Sequence, residues 1–298
     1  MSRRRRGQDI HGWVILDKPL GLSSSQGVGK VRGLLDARKA GHAGTLDPLA
    51  SGVLPIGLGE ATKAMPFIVD STKDYVFTIA FGEARSTDDC EGEVVARSDV
   101  IPNEEAILAA LPQFIGEIAQ VPPAYSAIKL DGKRAYALAR GGETPLLQAR
   151  PVHIHELRYL GPDEAGHGRF FMCCGKGTYV RSLARDLSQN LGTVGHVAAL
   201  RRTRVGPFHE RAAISLENLE KVRHGAPAEA IVLPVTTALD DIPALAITDQ
   251  EADLIKKGQC LRHSSAQDGD LILICGERPV AIARCQSGLI TSRRVFNL

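Results

Sequence analysis

The stretch GHAGTLDPLASGVLPIGLGEATK, residues 41–63, holds glycines at 41, 44, 52, 57 and 59, two prolines, and Asp47 as its one acidic group before Glu60. Gly41 to Gly52 reads as an ordered loop rather than a helix or strand. Pro48 biases Asp47 towards extended geometry. Glycines 41 and 44 permit tight turns and leave room for a large ligand to approach. Val53 to Leu58 is a short apolar run expected to be buried, and Glu60 to Phe67 reads as a helix start. On its own, Asp47-Pro48 is an Asx-type turn, with the carboxylate bonding its own backbone.

Working outward, GWVILDKP (12–19) is a short apolar strand ending at Lys18-Pro19. Ser23 to Ser25 supply the N-cap of a helix to about Asp36, with Val28, Val31, Leu34 and Leu35 on one face. A serine cluster can mark a nucleophile, but no glycine-flanked elbow surrounds this one. Downstream, DYVFTIAF (74–81) alternates as a half-buried strand with Tyr75, Phe77, Ile79 and Phe81 on one face. STDDCEGE (86–93) reads as a surface loop, and Asn103 caps a helix through Leu111. PPAYSAIKL (122–130) gives a strand, Asp131-Gly132 a turn, and the residues after it a short helix with Lys133, Arg134 and Arg140. Residues 150–160 and 169–174 alternate as strands. A helix begins near Thr178, with Val180, Leu183, Ala184, Leu187 and Leu191 as its buried stripe and Gly192 at its stop. Ser215 caps a last helix. From about Asp241 the chain turns to short strands with turns at Gly258, Gly269, Gly276 and Gly288.

At 298 residues the chain can bury a substantial core, and one large plus one small domain is expected. Its 44% hydrophobic and 23% charged content is that of an ordinary globular protein. No apolar run approaches the ~20 residues of a membrane span. The Arg3–Arg6 tail reads as disordered and cytoplasmic, because the apolar run after it falls short of a signal sequence. The net charge of +2 hides a pattern. Residues 1–63 carry 10 basic and 5 acidic groups and residues 121–211 carry 14 and 7, whereas 64–120 carry 3 and 11. Basic charge in the first two blocks suits a polyanionic partner. The six cysteines show no Cys-x-x-Cys or zinc-type spacing and read as reduced thiols. His153 and His155 share a strand face without a third ligand. Gly175-Lys176-Gly177-Thr178 lacks the glycine and the Ser/Thr that a Walker loop needs.

Several strings together carry a resemblance. GHAGTLDPLASGVLPIGLGEATK, the Lys73-Asp74-Tyr75 string, P-P-x-Y-S-A-x-K-x-x-G-x-R-A-Y from Pro122, and the K-G-T-Y-x-R-S-L motif from Lys176 closely resemble the motifs of the TruB family of tRNA pseudouridine synthases. HVAALRRTRVGP (196–207) resembles the strand that follows them. The likeness covers residues 10–210 closely, and 242–298 through length and strand content. It implies a mixed α+β pseudouridine synthase fold with a central, largely antiparallel sheet flanked by helices. The boundaries it suggests are a basic tail at 1–9, a catalytic domain at 10–241, and a small, mostly-β PUA-like RNA-binding domain at 242–298.

The resemblance also implies a chemistry. Asp47 is the expected nucleophile, Arg181 its partner, and Tyr75 the ring under the extruded uracil that also takes part in proton removal. Tyr179 and Leu200 complete the pocket wall, His42 stacks into the disrupted RNA loop, and Lys18 supports the site. Arg201, Arg202 and Arg204 are expected to be available to phosphates. A carboxylate nucleophile must be ionised, which burial opposes and a bidentate arginine would restore. The implied partner is the T-arm stem-loop of tRNA, with no cofactor, metal, membrane or protein partner and a monomeric chain. Two other readings stay open on the residues alone: a non-catalytic tRNA-binding or RNA-folding protein on the same scaffold, and a glycoside hydrolase. The second needs another carboxylate near Asp47, and its own loop supplies none.

Overall fold

The computed structural model describes residues 7–126, 129–130, 133–134, 147–223 and 231–298. In chain order the strands are β1 Gly12–Lys18, β2 Ala40–His42, β3 Ala50–Leu58, β4 Lys73–Phe81, β5 Glu83–Arg85, β6 Val94–Arg97, β7 Gly116–Gln120, β8 Lys129–Leu130 and β9 Lys133–Arg134. They continue with β10 Arg150–Pro162, β11 Gly168–Cys174, β12 Gly195–Val205, β13 Phe208–His209, β14 Ala244–Ala246, β15 Leu261–Arg262, β16 Gly269–Cys275, β17 Arg278–Gln286 and β18 Leu289–Val295. The helices are α1 Ser24–Leu34, α2 Met65–Asp70, α3 Glu104–Ala110, α4 Val180–Asn190, α5 Leu216–Arg223 and α6 Asp249–Lys256. The chain forms two compact units, one of residues 1–46, 53–69 and 206–298, the other of 47–52 and 70–205.

The second unit is built on an antiparallel succession. β4 lies between β11 and β12, β11 pairs with β10, and β10 pairs with β7. The first residues of β3 join parallel, Ala50 opposite Leu200 and Gly52 opposite Arg202. The alternation read in β4 holds at Tyr75 and Phe77 and then gives way, because Thr78, Ile79 and Ala80 are all buried. Their strand is central and α4 also packs against it, so both faces leave water. Phe77 and Phe170 stack at 5.4 Å in this core. Helix α4 buries the expected stripe of Val180, Leu183, Ala184 and Leu187. Gly192, just past its end, takes φ 71°, the left-handed geometry expected at a helix stop.

The first unit carries β1, nearly all buried, with Trp13 donating its indole N–H to Val235 O at 3.2 Å. Within it β2 pairs antiparallel with β3, and Val53–Leu58 is wholly buried as expected. Residues 244–295 add a five-stranded sheet in the order β14-β16-β17-β18-β15, with a core that includes Ile255, Leu273, Ala281 and Ile290.

Several expectations change in detail. Strand β3 begins at Ala50, inside the expected loop, because Ala50 finds a partner on β12. The helix start at Glu60–Phe67 divides into a 3-10 turn, Gly59–Lys63, and α2. Lys133 and Arg134 pair with Leu130 and Lys129 as a strand rather than opening a helix. The Asp131-Gly132 turn and Arg140 lie outside the described residues. Gln8 pairs through its backbone with Asp36 and Arg38, and Asp9 forms an ion pair with Arg38, so Gly7–Asp9 are not a free tail. The C-terminal segment holds a helix, α6, started by a reciprocal capping box between Thr248 and Glu251. No helix among the described residues is long and apolar enough to cross a membrane.

Candidate active site

The loop at Asp47 is a β-turn: the Ala50 N–H donates to Asp47 O at 3.0 Å, with Pro48 at the second position, where its fixed φ suits the turn. The turn delivers the chain into β3, and the parallel register with β12 brings Leu200 alongside. Gly52 carries the close approach that follows. Its φ is 101°, and a Cβ there would stand 2.2 Å from Arg202 O. No other residue type fits.

Asp47 Oδ2 lies 2.9 Å from Arg181 Nη2, with 39% of the aspartate side chain exposed against 6% of the arginine. The carboxylate is thus reachable while its partner is held in the protein. Arg181 sits in the first turn of α4, on the face turned inward, so the amphipathic helix brings its guanidinium to the loop. Its contact with Asp47 is single rather than the expected bidentate fork. Nη2 also donates to Tyr125 O at 3.0 Å, and Nη1 donates to Thr87 O at 3.0 Å and lies 3.5 Å from Asp89 Oδ2. The guanidinium bridges two carboxylates instead of clasping one.

Asp89 was not legible as a site residue. It lies in the acidic stretch read as a surface loop, yet it is 5% exposed. Its Oδ1 accepts from the Thr87 hydroxyl and, at 3.1 Å, from the Glu91 N–H, which leaves Oδ2 towards Arg181. Beside it Asp88 has φ 59° and accepts the Val197 N–H at its carbonyl, while its carboxylate meets Arg185 at 3.1 Å. Burial pushes the Asp88 carboxyl up, and Arg185 and Arg181 pull it back. Only the arginines opposite distinguish this loop from a solvated one, and they lie far away in sequence.

Asp47, Leu49, Ala50, Asp89, Arg181 and the β12 residues Val197–Leu200 line one cleft whose enclosed volume is about 10 Å³, room for about one water. Tyr75 is 9% exposed, next to the cleft on β4, where burial raises its phenol pKa, the Arg202 guanidinium lowers it and the Asp47 charge raises it further. Tyr179 stands at the N-cap of α4. Its backbone N–H and C=O are both bound by the Gln120 amide, and its ring lies 5.3 Å from the Arg150 guanidinium, outside the cleft lining. In the first unit, Lys18 is fully buried with Nζ donating to Pro19 O and Leu22 O, a role in holding its own loop. His42 lies half-buried on β2, opposite Ile56.

Arg202 and Arg204 depart from expectation. Arg202 is 1% exposed. Arg204, opposite Asp74 in the β4–β12 register, clasps that carboxylate at 2.6 and 2.7 Å and also donates to the Thr72 hydroxyl at 3.1 Å. A run of three arginines in four residues looks like a phosphate patch, but a central strand turns some of them inward. His153 and His155 are exposed with their rings 4.5 Å apart. Among the described residues no group of three or more His, Cys, Asp or Glu could hold a metal ion.

The architecture matches solved structures along most of its length. A chain from the crystal structure of a Cbf5-Nop10-Gar1 complex superposes with a TM-score of 0.74 at 25% identity, covering 96% of this chain and 84% of that one. A chain from an H/ACA RNP bound to a substrate RNA containing 2'-deoxyuridine gives the same TM-score at 23% identity, covering 100% and 92%. The fold is that of the pseudouridine synthases. Residues 32–180 match the model of the TruB family pseudouridylate synthase N-terminal domain, and 181–240 that of the tRNA pseudouridylate synthase B C-terminal domain. Proteins named tRNA pseudouridine synthase B are 54% identical in Gluconacetobacter diazotrophicus, over 99% of this chain and 100% of that protein. They are 51% identical in Nitrobacter winogradskyi, over 99% and 85%, and 49% in Caulobacter vibrioides, over 100% of each. This chain belongs to the TruB family of pseudouridylate synthases and is an isomerase.

Proposed function

We propose that the chain converts the T-loop uridine of tRNA, position 55, to pseudouridine, with Asp47 as nucleophile. One observation carries the assignment: an exposed carboxylate fixed 2.9 Å from a buried guanidinium that also binds a second carboxylate. The names of the curated relatives support tRNA as the substrate. The glycoside hydrolase reading weakens here, because the second carboxylate, Asp89, spends its charge on Arg181.

In this reading the target nucleotide leaves its stack, since chemistry on a base needs access to it. Uracil stacks on Tyr75 against a wall that includes Leu200, and Tyr179 joins that wall from beyond the present lining once RNA is bound. His42 fills the vacated space in the RNA loop and Lys18 supports the site. Asp47 attacks as a carboxylate, the N1–C1' bond breaks, and the base turns. A C5–C1' bond then forms, the bond to Asp47 breaks and frees the carboxylate, C5 loses its proton and N1 gains one, so the product is an isomer. Burial keeps the Tyr75 phenol protonated, so any help it gives in removing that proton does not come from a standing phenolate. No cofactor or metal enters these steps. The T-arm is read through its splayed loop and its shape, by a monomer in the reducing cytoplasm, where six free thiols are at home. Residues 242–298 serve as an RNA-binding module.

Asp47→Asn tests the assignment. The amide nearly keeps the shape but is a poor nucleophile. The expected result is no detectable pseudouridine, with tRNA affinity within roughly tenfold of the parent, a change of about 1.4 kcal/mol. Normal modification by the variant removes Asp47 as nucleophile. A parent protein that binds tRNA without modifying it favours a binding or RNA-folding role.

A further inference from the structure

One side chain binds both backbone groups of the residue that precedes Asp47. Ser24 Oγ accepts the Leu46 N–H at 2.8 Å and donates to Leu46 O at 2.9 Å. Ser24 is 3% exposed, and Leu46 is 4% exposed. The hydroxyl is both donor and acceptor, so it replaces the strand edge that would otherwise pair with these two groups. Capping of α1 does not need it. Ser23 is the N-cap, its Oγ accepting the Gln26 N–H while Gln26 Oε1 accepts the Ser23 N–H.

The Leu46 carbonyl belongs to the peptide plane that carries the Asp47 nitrogen. Ser24 fixes the entry to Asp47, and the Ala50 N–H on Asp47 O fixes the exit. We propose that Ser24 is a positioning residue for the reaction, holding the Asp47 backbone so that its carboxylate stays on Arg181. The proposal rests on the reading of Asp47 as the reactive carboxylate. Its effect belongs in the chemical step, because Ser24 is too buried to touch RNA.

The experiment compares full-length Ser24→Ala, Ser24→Cys, Ser23→Ala and Asp47→Asn on an unmodified tRNA transcript. Single-turnover rate, Kd and thermal unfolding are measured for each. Ser24→Ala is expected to lose roughly 30-fold or more in rate with Kd within about threefold, since small displacements of a reacting group can cost about 10²-fold. Ser24→Cys keeps the shape with a weaker donor and acceptor, falls between, and carries the test if the alanine variant does not fold. Ser23→Ala removes the cap, lowers Tm by a few degrees and keeps the parent rate. A folded Ser24 variant at the parent rate, a loss confined to Kd, or an equal rate loss in Ser23→Ala overturns the proposal. If Asp47→Asn still modifies the RNA, the reading beneath it has failed instead.

Discussion

Arg181 is almost enclosed, and its two terminal nitrogens serve two carboxylates and two backbone carbonyls. Lysine keeps the charge but brings a single ammonium, which cannot stand at both ends of the fork. Arg181→Lys should therefore lower the single-turnover rate by roughly 10²-fold, as loss of an oriented donor commonly does, while Kd stays within about threefold. Rapid-quench rates at saturating enzyme check it, and an unchanged rate removes Arg181 from the chemistry. Alanine is the poorer test, because it strands Asp89 as a buried charge and costs about 3–5 kcal/mol of fold stability. Asp47 and Arg181 were singled out by the strings they sit in, and their side chains lie 2.9 Å apart. Asp89 was not, because its meaning depends on a guanidinium that only folding brings near.

Strands and helices were legible where one face repeats, as in β10 and α4. The reading fell short where both faces are buried, as in the middle of β4, and where a local cap outweighed glycine punctuation, as at α6. The arginines of β12 show the same limit: sequence gives the run, but the register decides which of them meets Asp74. Arg204→Ala should act on the strand pair, lowering stability by roughly 1–3 kcal/mol through the stranded, partly buried carboxylate. A lost phosphate contact would instead flatten the salt dependence of tRNA binding by about 0.7–0.9 in log–log slope. Urea unfolding and a salt titration on one preparation separate the two, and a flattened slope with parent stability returns Arg204 to the RNA interface.

Across the molecule, charge blocks proved a partial guide. The acidic block 64–120 supplies Asp74, Asp88 and Asp89, which neutralise Arg204, Arg185 and Arg181 of the basic block 121–211 inside the second unit. Less of that basic charge is left for a polyanion than composition suggests. In the first unit, Val295 O accepts from Lys63 Nζ at 2.6 Å and the Asn297 N–H donates to Glu60 at 2.7 Å, so the C-terminal strand supports the turn after β3. Deleting residues 242–298 should lower Tm and weaken tRNA binding by about tenfold or more, near 1.4 kcal/mol, while slow modification continues at the same uridine. A folded truncation with parent Kd gives the segment another role. The ion pair between Asp47 and Arg181 also sets a clock on biogenesis. A ribosome adding about 5–20 residues per second exposes the aspartate on the order of ten seconds before it makes the arginine. During that interval the nascent chain carries its carboxylate without the guanidinium that pairs with it, so this ion pair forms only once the chain has been extended past residue 181.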